Sequence, residues 1–132
     1  MKGLCRTSTR GSATVEFALV LPLLLVVGLA LLQVGLLTKD QLIVQEAARA
    51  GARQAAVSND DGSVREAVSE AAAGLDQSLL TTVITRDDSP AKPATVTVSY
   101  DAPIAVPMVR WLFPSVVRLS ARVTMRQEGG GP

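Results

Sequence analysis

Glu16 stands directly before Phe17, the first residue of the apolar run FALVLPLLLVVGLALLQVGLL. A carboxylate at the mouth of a membrane helix is costly unless a positive group answers it. Unpaired at the bilayer centre, it costs roughly 2.5–3.5 kcal/mol, and less near the interface. No other arrangement in the chain points to chemistry as sharply. Histidine is absent and Cys5 is the single cysteine. A Ser–His–Asp arrangement and a disulfide within these residues are therefore excluded, and thiol or imidazole metal sites nearly so. The carboxylate pairs, Asp60 with Asp61 and Asp87 with Asp88, fall in turn-like segments where Asp is common for backbone reasons. Asn59-Asp60-Asp61-Gly62 is too short for an EF-hand loop. The sequence offers no catalytic residue and implies no cofactor or metal.

The element that must position Glu16 is the apolar run itself, residues 17–37. It holds 21 residues without a charge, and Gln33 is its one strongly polar side chain. As a helix it would be about 31 Å long, close to one hydrocarbon thickness. The 95 residues that follow could not bury such a cylinder on every side. It is longer than the core of a cleaved secretory signal, and no A-x-A site follows closely. The nearest, Ala48-Arg49-Ala50, lies inside a helical pattern. The segment is expected to remain as an anchor. Lys2, Arg6 and Arg10 precede it with no acid among them, which by the positive-inside rule places the N-terminus in the cytoplasm and the C-terminal region outside it. Beyond Gly11 the chain carries ten Lys/Arg and twelve Asp/Glu, a balance that does not point to nucleic acid.

Helical character continues through TKDQLIVQEAARAGARQAAV, residues 38–57. One helix of roughly 45 residues from Ala13 to Val57 is expected, half in the membrane and half beyond it. Ile43, Ala47, Ala50, Gln54 and Val57 fall on one stripe, and Glu46 and Arg49 form an i,i+3 pair. Ala47, Gly51 and Ala55, and likewise Ala48, Ala52 and Ala56, repeat every fourth position. Such rows let helices approach closely, against the chain's own β region or against a neighbouring subunit; an alanine-rich exposed helix can also show them by chance. Ser58 to Gly62 reads as a turn, and Ser63 with Glu66 has capping-box spacing for a second helix over residues 63–75. Its apolar side would be Val64, Val68, Ala71, Ala72 and Leu75.

The period then changes from 3.6 to 2. Strands are expected at about 79–86, 95–100 and 116–126, the last with Val117, Leu119, Ala121, Val123 and Met125 on one face and Arg118, Ser120, Arg122, Thr124 and Arg126 on the other. The fold class is α+β: a long N-terminal transmembrane helix, a second helix, and a small antiparallel sheet of three strands with one wet face. Between the last two strands, APIAVPMVRWLFPS reads as a loop. It either folds Met108, Trp111, Leu112 and Phe113 over the sheet or offers Trp111, Leu112 and Phe113 to a partner or a membrane surface.

A basic leader, Gly11, Ser12, three further residues, Glu16, Phe17 and an apolar helix together resemble the class III signal of type IV pilins and pseudopilins. In that family a membrane-embedded prepilin peptidase cuts after the glycine. Ser12 would then be the first residue and Glu16 the fifth, and the new α-amino group, positive near neutral pH, would lie about one turn from the carboxylate. The stretch GSATVEFALVLPLLL, residues 11–25, with AARAGAR, residues 47–53, is similar to the TadE-like family, minor pseudopilins of tight-adherence (Flp) pilus systems. A final alternating strand ending near an acid, here Glu128, agrees. At Gln33-Val34-Gly35 the chain departs from relatives that carry an acid near the end of the membrane helix.

The resemblance implies a leader over residues 1–11, a transmembrane segment over 12–37 and an exported region over 38–132. Gly11 and Ser12 would define the cut, and Glu16 with Phe17 would guide processing or subunit docking. Pro22 removes a backbone donor and would kink or loosen the helix, which helps it leave the bilayer for a filament, although membrane helices tolerate proline in any case. The implied partners are membrane lipid, the prepilin peptidase, other pilins or pseudopilins and the pilus assembly platform. The implied role is structural or assembly-related. A second reading remains: an unprocessed, single-pass, membrane-anchored binding module unrelated to pili.

Overall fold

Seven-residue and longer alternations on one side of the chain, and an unbroken apolar-to-alanine helix on the other, dictate two layers. The computed structural model describes residues 9–89 and 92–127. Lys2, Cys5, Arg6 and Glu128 lie outside the described residues. Helix α1 spans Thr9–Val57, 49 residues, or about 74 Å. It begins four residues before Ala13 and runs unbroken through Pro22. Residues 11–25 are exposed on all sides, so nothing among the described residues covers them.

Helix α2 covers Asp61–Ala71 and starts earlier than the expected Ser63 because Asp60 is the cap. The Asp60 carboxylate accepts from the Gly62 and Ser63 N–H groups at 3.2 and 2.9 Å. Ser63 sits inside the first turn, with its hydroxyl 2.8 Å from the Asp60 carbonyl. With Asp60 as cap, Ser63 occupies the third helical position and the expected capping box with Glu66 does not form. The helix also ends earlier than Leu75: Ala72 is its C-cap, and the Leu75 N–H turns back to the Ala72 carbonyl at 2.9 Å. Leu75 is nonetheless buried. A 3-10 turn at Gln77–Leu79, capped by Asp76, leads into the sheet.

Strands β1 Leu80–Arg86, β2 Pro93–Pro103 and β3 Val116–Arg126 form an antiparallel sheet in the order β1-β2-β3. The middle strand is longer at both ends than the alternation of residues 95–100 predicts. Pairing continues through Asp101 with Arg118, Ala102 with Val117 and Pro103 with Val116. Pro93 and Pro103 occupy only its first and last positions, where a missing ladder donor does least harm. The α+β class expected from the sequence is the class observed.

The core lies where α1, α2 and the sheet meet. Val44, Ala47, Ala48, Ala52 and Ala55 of α1 face Val64 and Val68 of α2 and Val96 and Val98 of β2 in one buried cluster. The stripe of Ile43, Ala47, Ala50, Gln54 and Val57 lies at the edge of the core face, with Ile43 half-buried against the cluster. Of these only Ala47 is fully buried, and Val57 is 69% exposed. The face is rotated onto the small-residue rows because two elements must approach α1 at once, and only Gly and Ala leave room. A Cβ built on Gly51 would lie 2.5 Å from Val68 Cγ2 and 3.0 Å from Val96 Cγ1. In β1 and β3 the alternate residues Ile84, Leu119, Ala121, Val123 and Met125 pack against this cluster while half-buried.

Candidate functional site

Three parts of the chain carry the residues that could act on something outside it: the start of α1, the junction of α1 with the β2–β3 loop, and the outer face of the sheet. At the start of α1, Gly11, Ser12, Glu16 and Phe17 all sit on one continuous helix and all are exposed. Ser12 and Glu16 are four residues apart, hence on the same face and about one turn, roughly 6 Å, distant along the axis. The Gly11–Ser12 bond lies in the first turn of α1. Among the described residues, nothing outside the adjoining helix backbone comes within 4 Å of a Cβ built on Gly11. The apolar surface continues through Phe17, Leu19, Leu23, Leu24 and Leu25, each more than half exposed. So large a bare apolar surface calls for a lipid or protein cover, and α1 is long and apolar enough to cross a membrane.

At the junction, α1 meets the loop after β2. Gln33, the polar residue of the apolar run, is 1% exposed. Its Oε1 accepts the Val106 N–H at 3.0 Å. The loop carries a 3-10 turn, Pro107–Val109, that packs on α1, and Ile104 and Val109 are buried. Trp111 and Leu112 point outward, 73% and 51% exposed, and Phe113 is half-buried. Of the four residues that the first alternative would fold over the sheet, Met108, Trp111 and Leu112 are exposed and Phe113 is half-buried; the loop buries Ile104 and Val109 instead. The part of Gln33 in this junction was not read from the sequence. Its signal was there: one amide within 21 otherwise apolar residues.

Ala47, Ala48, Gly51, Ala52 and Ala55 are brought together inside the chain's own core. They hold α2 and β2 on the second half of α1. A Gln41 Nε2 bond to the Ser120 carbonyl at 3.1 Å ties β3 to the same helix. The far end of the head is closed by Arg86, which pairs with Asp61 and donates to the Ser58 carbonyl at 3.2 Å. Gln127 reaches Asn59 in the same turn.

Three of the four paired carboxylates hold local structure. Asp60 caps α2, Asp61 meets Arg86, and Asp87 accepts from the Ser89 N–H at 3.3 Å. Asp76 caps the 3-10 turn. The Ser78 hydroxyl and then the Ser78 N–H hold its carboxyl below the usual carboxylate value. The outer face of the sheet is rich in threonine and arginine. Thr95 and Thr124 share a 2.8 Å hydroxyl contact across the strands. Arg118 grips Asp101 with two bonds at 2.9 and 3.4 Å, which raises the guanidinium pKa further, through the hydrogen bond first and the charge second.

The whole is a membrane-type helix whose C-terminal half carries a small α+β head, with its acidic mark at the opposite end of the apolar run. Residues 11–53 match the family of TadE-like proteins. The match begins at Gly11, includes Glu16 and ends at Arg53, which takes in both motifs that carried the resemblance. A TadE-like domain points to a component of a Tad pilus system. No curated protein and no solved structure matches the chain.

Proposed function

We propose that the chain is a minor pseudopilin of a tight-adherence (Flp) pilus system, cut after Gly11 by a prepilin peptidase and held in the cytoplasmic membrane by residues 12–37, with its head outside. The observation that carries this reading is the family match, whose first residue is the glycine of the proposed cut. Elementary electrostatics supports it. A free α-amino group has a pKa of about 7.7–8.0, so a new N-terminus at Ser12 would be largely positive at neutral pH. One turn from Glu16, it would answer the charge with which the apolar run begins. The bare cylinder that faces lipid in the membrane would face other pilin helices once extracted into a filament. Gly11 and Ser12 define the cut, and Glu16 with Phe17 guides processing or docking. The head is an interaction surface and not a catalyst, a reading supported by the cap, ion-pair and turn contacts of Asp60, Asp61 and Asp87.

The test is cross-linking in the host followed by purification through a C-terminal tag. Recovery of other short pilins and of the integral membrane platform is the expected result. Their absence, in cells that do assemble the pilus, would favour an unprocessed anchored module.

A further inference from the structure

We infer that the apolar tip of the β2–β3 loop, Met108, Trp111 and Leu112, seats in the lipid leaflet next to α1 and fixes the head's height and tilt on the membrane. The inference rests on α1 being a membrane anchor, and it holds whether or not the leader is cut.

The depth of the loop comes from one bond. Val106 donates to Gln33, and Gln33 lies four residues before the end of the apolar run at Leu37, about 6 Å along the axis. Partial burial of α1 reaches lower still, to Val26, Leu29 and Ala30. If residues 17–37 fill the hydrocarbon, the loop stands level with the outer part of that layer, and water is not its neighbour.

The loop is built for that place. Met108 and Trp111 are 72% and 73% exposed, Leu112 51%. In water such a group would be an unexplained apolar patch. Part of the loop backbone is satisfied internally, as lipid demands. Val109 N–H donates to the Val106 carbonyl, Arg110 to Pro107 and Leu112 to Val109. Pro107 has no donor to satisfy. The indole N–H of Trp111 donates to the Met108 carbonyl at 3.1 Å, so the ring enters with no free polar atom. Arg110, exposed between Met108 and Trp111, has the reach to keep its guanidinium at the headgroups. Tryptophan beside a cation is the usual furniture of a membrane interface.

Trp111 is the one tryptophan of the chain, so its emission reports the loop alone. The full chain is placed in phosphatidylcholine nanodiscs, plain or with acyl chains brominated near the ester end, and quenching is compared with that by aqueous acrylamide. The expected result is strong loss of emission in the brominated discs and little loss with acrylamide. The double variant Met108→Asp, Leu112→Asp should reverse that order while leaving the circular dichroism of the head unchanged. Emission open to acrylamide and indifferent to bromine would overturn the inference, with α1 still anchored. Emission shielded from both, in discs holding two copies, would also overturn it and assign the tip to a second chain. Failure of the chain to enter discs at all would overturn the anchor and this inference together.

Discussion

Gln33 and Val106 lie 73 positions apart in sequence and are joined by one hydrogen bond, Oε1 accepting from the backbone N–H at 3.0 Å. The pair fixes where the head ends and the bare helix begins. Below Gln33 most of α1 is exposed; above it one face fills progressively, from Leu36 to the buried Val44 and Ala47. The pair also solves a local problem. An amide in an apolar helix and an N–H just before a proline each lack a partner, and each supplies the other's.

Gln33→Leu should therefore destabilise the head without releasing α1 from the membrane. Leaving a buried donor unsatisfied costs about 1–3 kcal/mol. The measurement is amide hydrogen exchange in micelles. The Val106 N–H should lose protection while the sheet amides of Val96 and Val98 keep theirs.

Gly51→Ala should cost more than its one methyl suggests. The added Cβ meets two valine methyls of the packed core, at 2.5 and 3.0 Å, and relief requires α2 or β2 to move. Overpacking of this kind costs about 1–3 kcal/mol. Gly35, where nothing lies within 4 Å of such a Cβ, is the control. Gly35→Ala should leave thermal unfolding of the head unchanged or slightly raised.

These two sites show what the sequence reveals and what it withholds. Period-two alternation in residues 116–126 placed β3 at both ends, because a sheet with one wet face imposes that pattern on any strand. The small-residue rows were visible too, but which elements they admit is a tertiary fact. The start of α2 was ambiguous since Ser58, Asp60, Asp61 and Ser63 all carry capping chemistry. The choice of Asp60 goes with Asp61 meeting Arg86 from β1, a partner 25 residues away. Gln33 was legible as an oddity and not as a clamp, for nothing local names Val106 as its mate. At the start of α1, Gly11, Glu16 and the run behind them were legible as a motif, since their spacing is linear and needs no fold to bring it together.

Asp60→Ala should remove the cap of α2 and cost about 1 kcal/mol, within a range of roughly 0.5–2. Asp60→Asn should restore most of it. Thermal melts of the two variants in the same detergent decide between loss of the cap and loss of a charge.

Asp76 gives the head an acid dependence of known sign. Its carboxyl is held below the ordinary 3.8 by the Ser78 hydroxyl and N–H. The folded state therefore favours the charged form. The stabilisation is present above the ordinary value and is lost as pH falls through the lowered folded value. Ser78→Ala should narrow that difference, read as a smaller stability gap between neutral and acid solution in paired urea titrations.

Glu16→Ala should leave the protein in the membrane, because it removes the one charge against the apolar run. It should weaken recovery of other pilins on cross-linking, since the carboxylate is the group a neighbouring N-terminus would seek. Unchanged recovery would confine Glu16 to processing.

Processing bears on the central claim most directly. The chain is expressed in its host with a C-terminal tag, purified from membranes, and its intact mass and N-terminal sequence are measured beside Gly11→Val. A mature chain that begins at Ser12, and that disappears in the variant, is the result expected of a pseudopilin. A chain that still begins at Met1 or Lys2, with an active prepilin peptidase in the same cells, would contradict it.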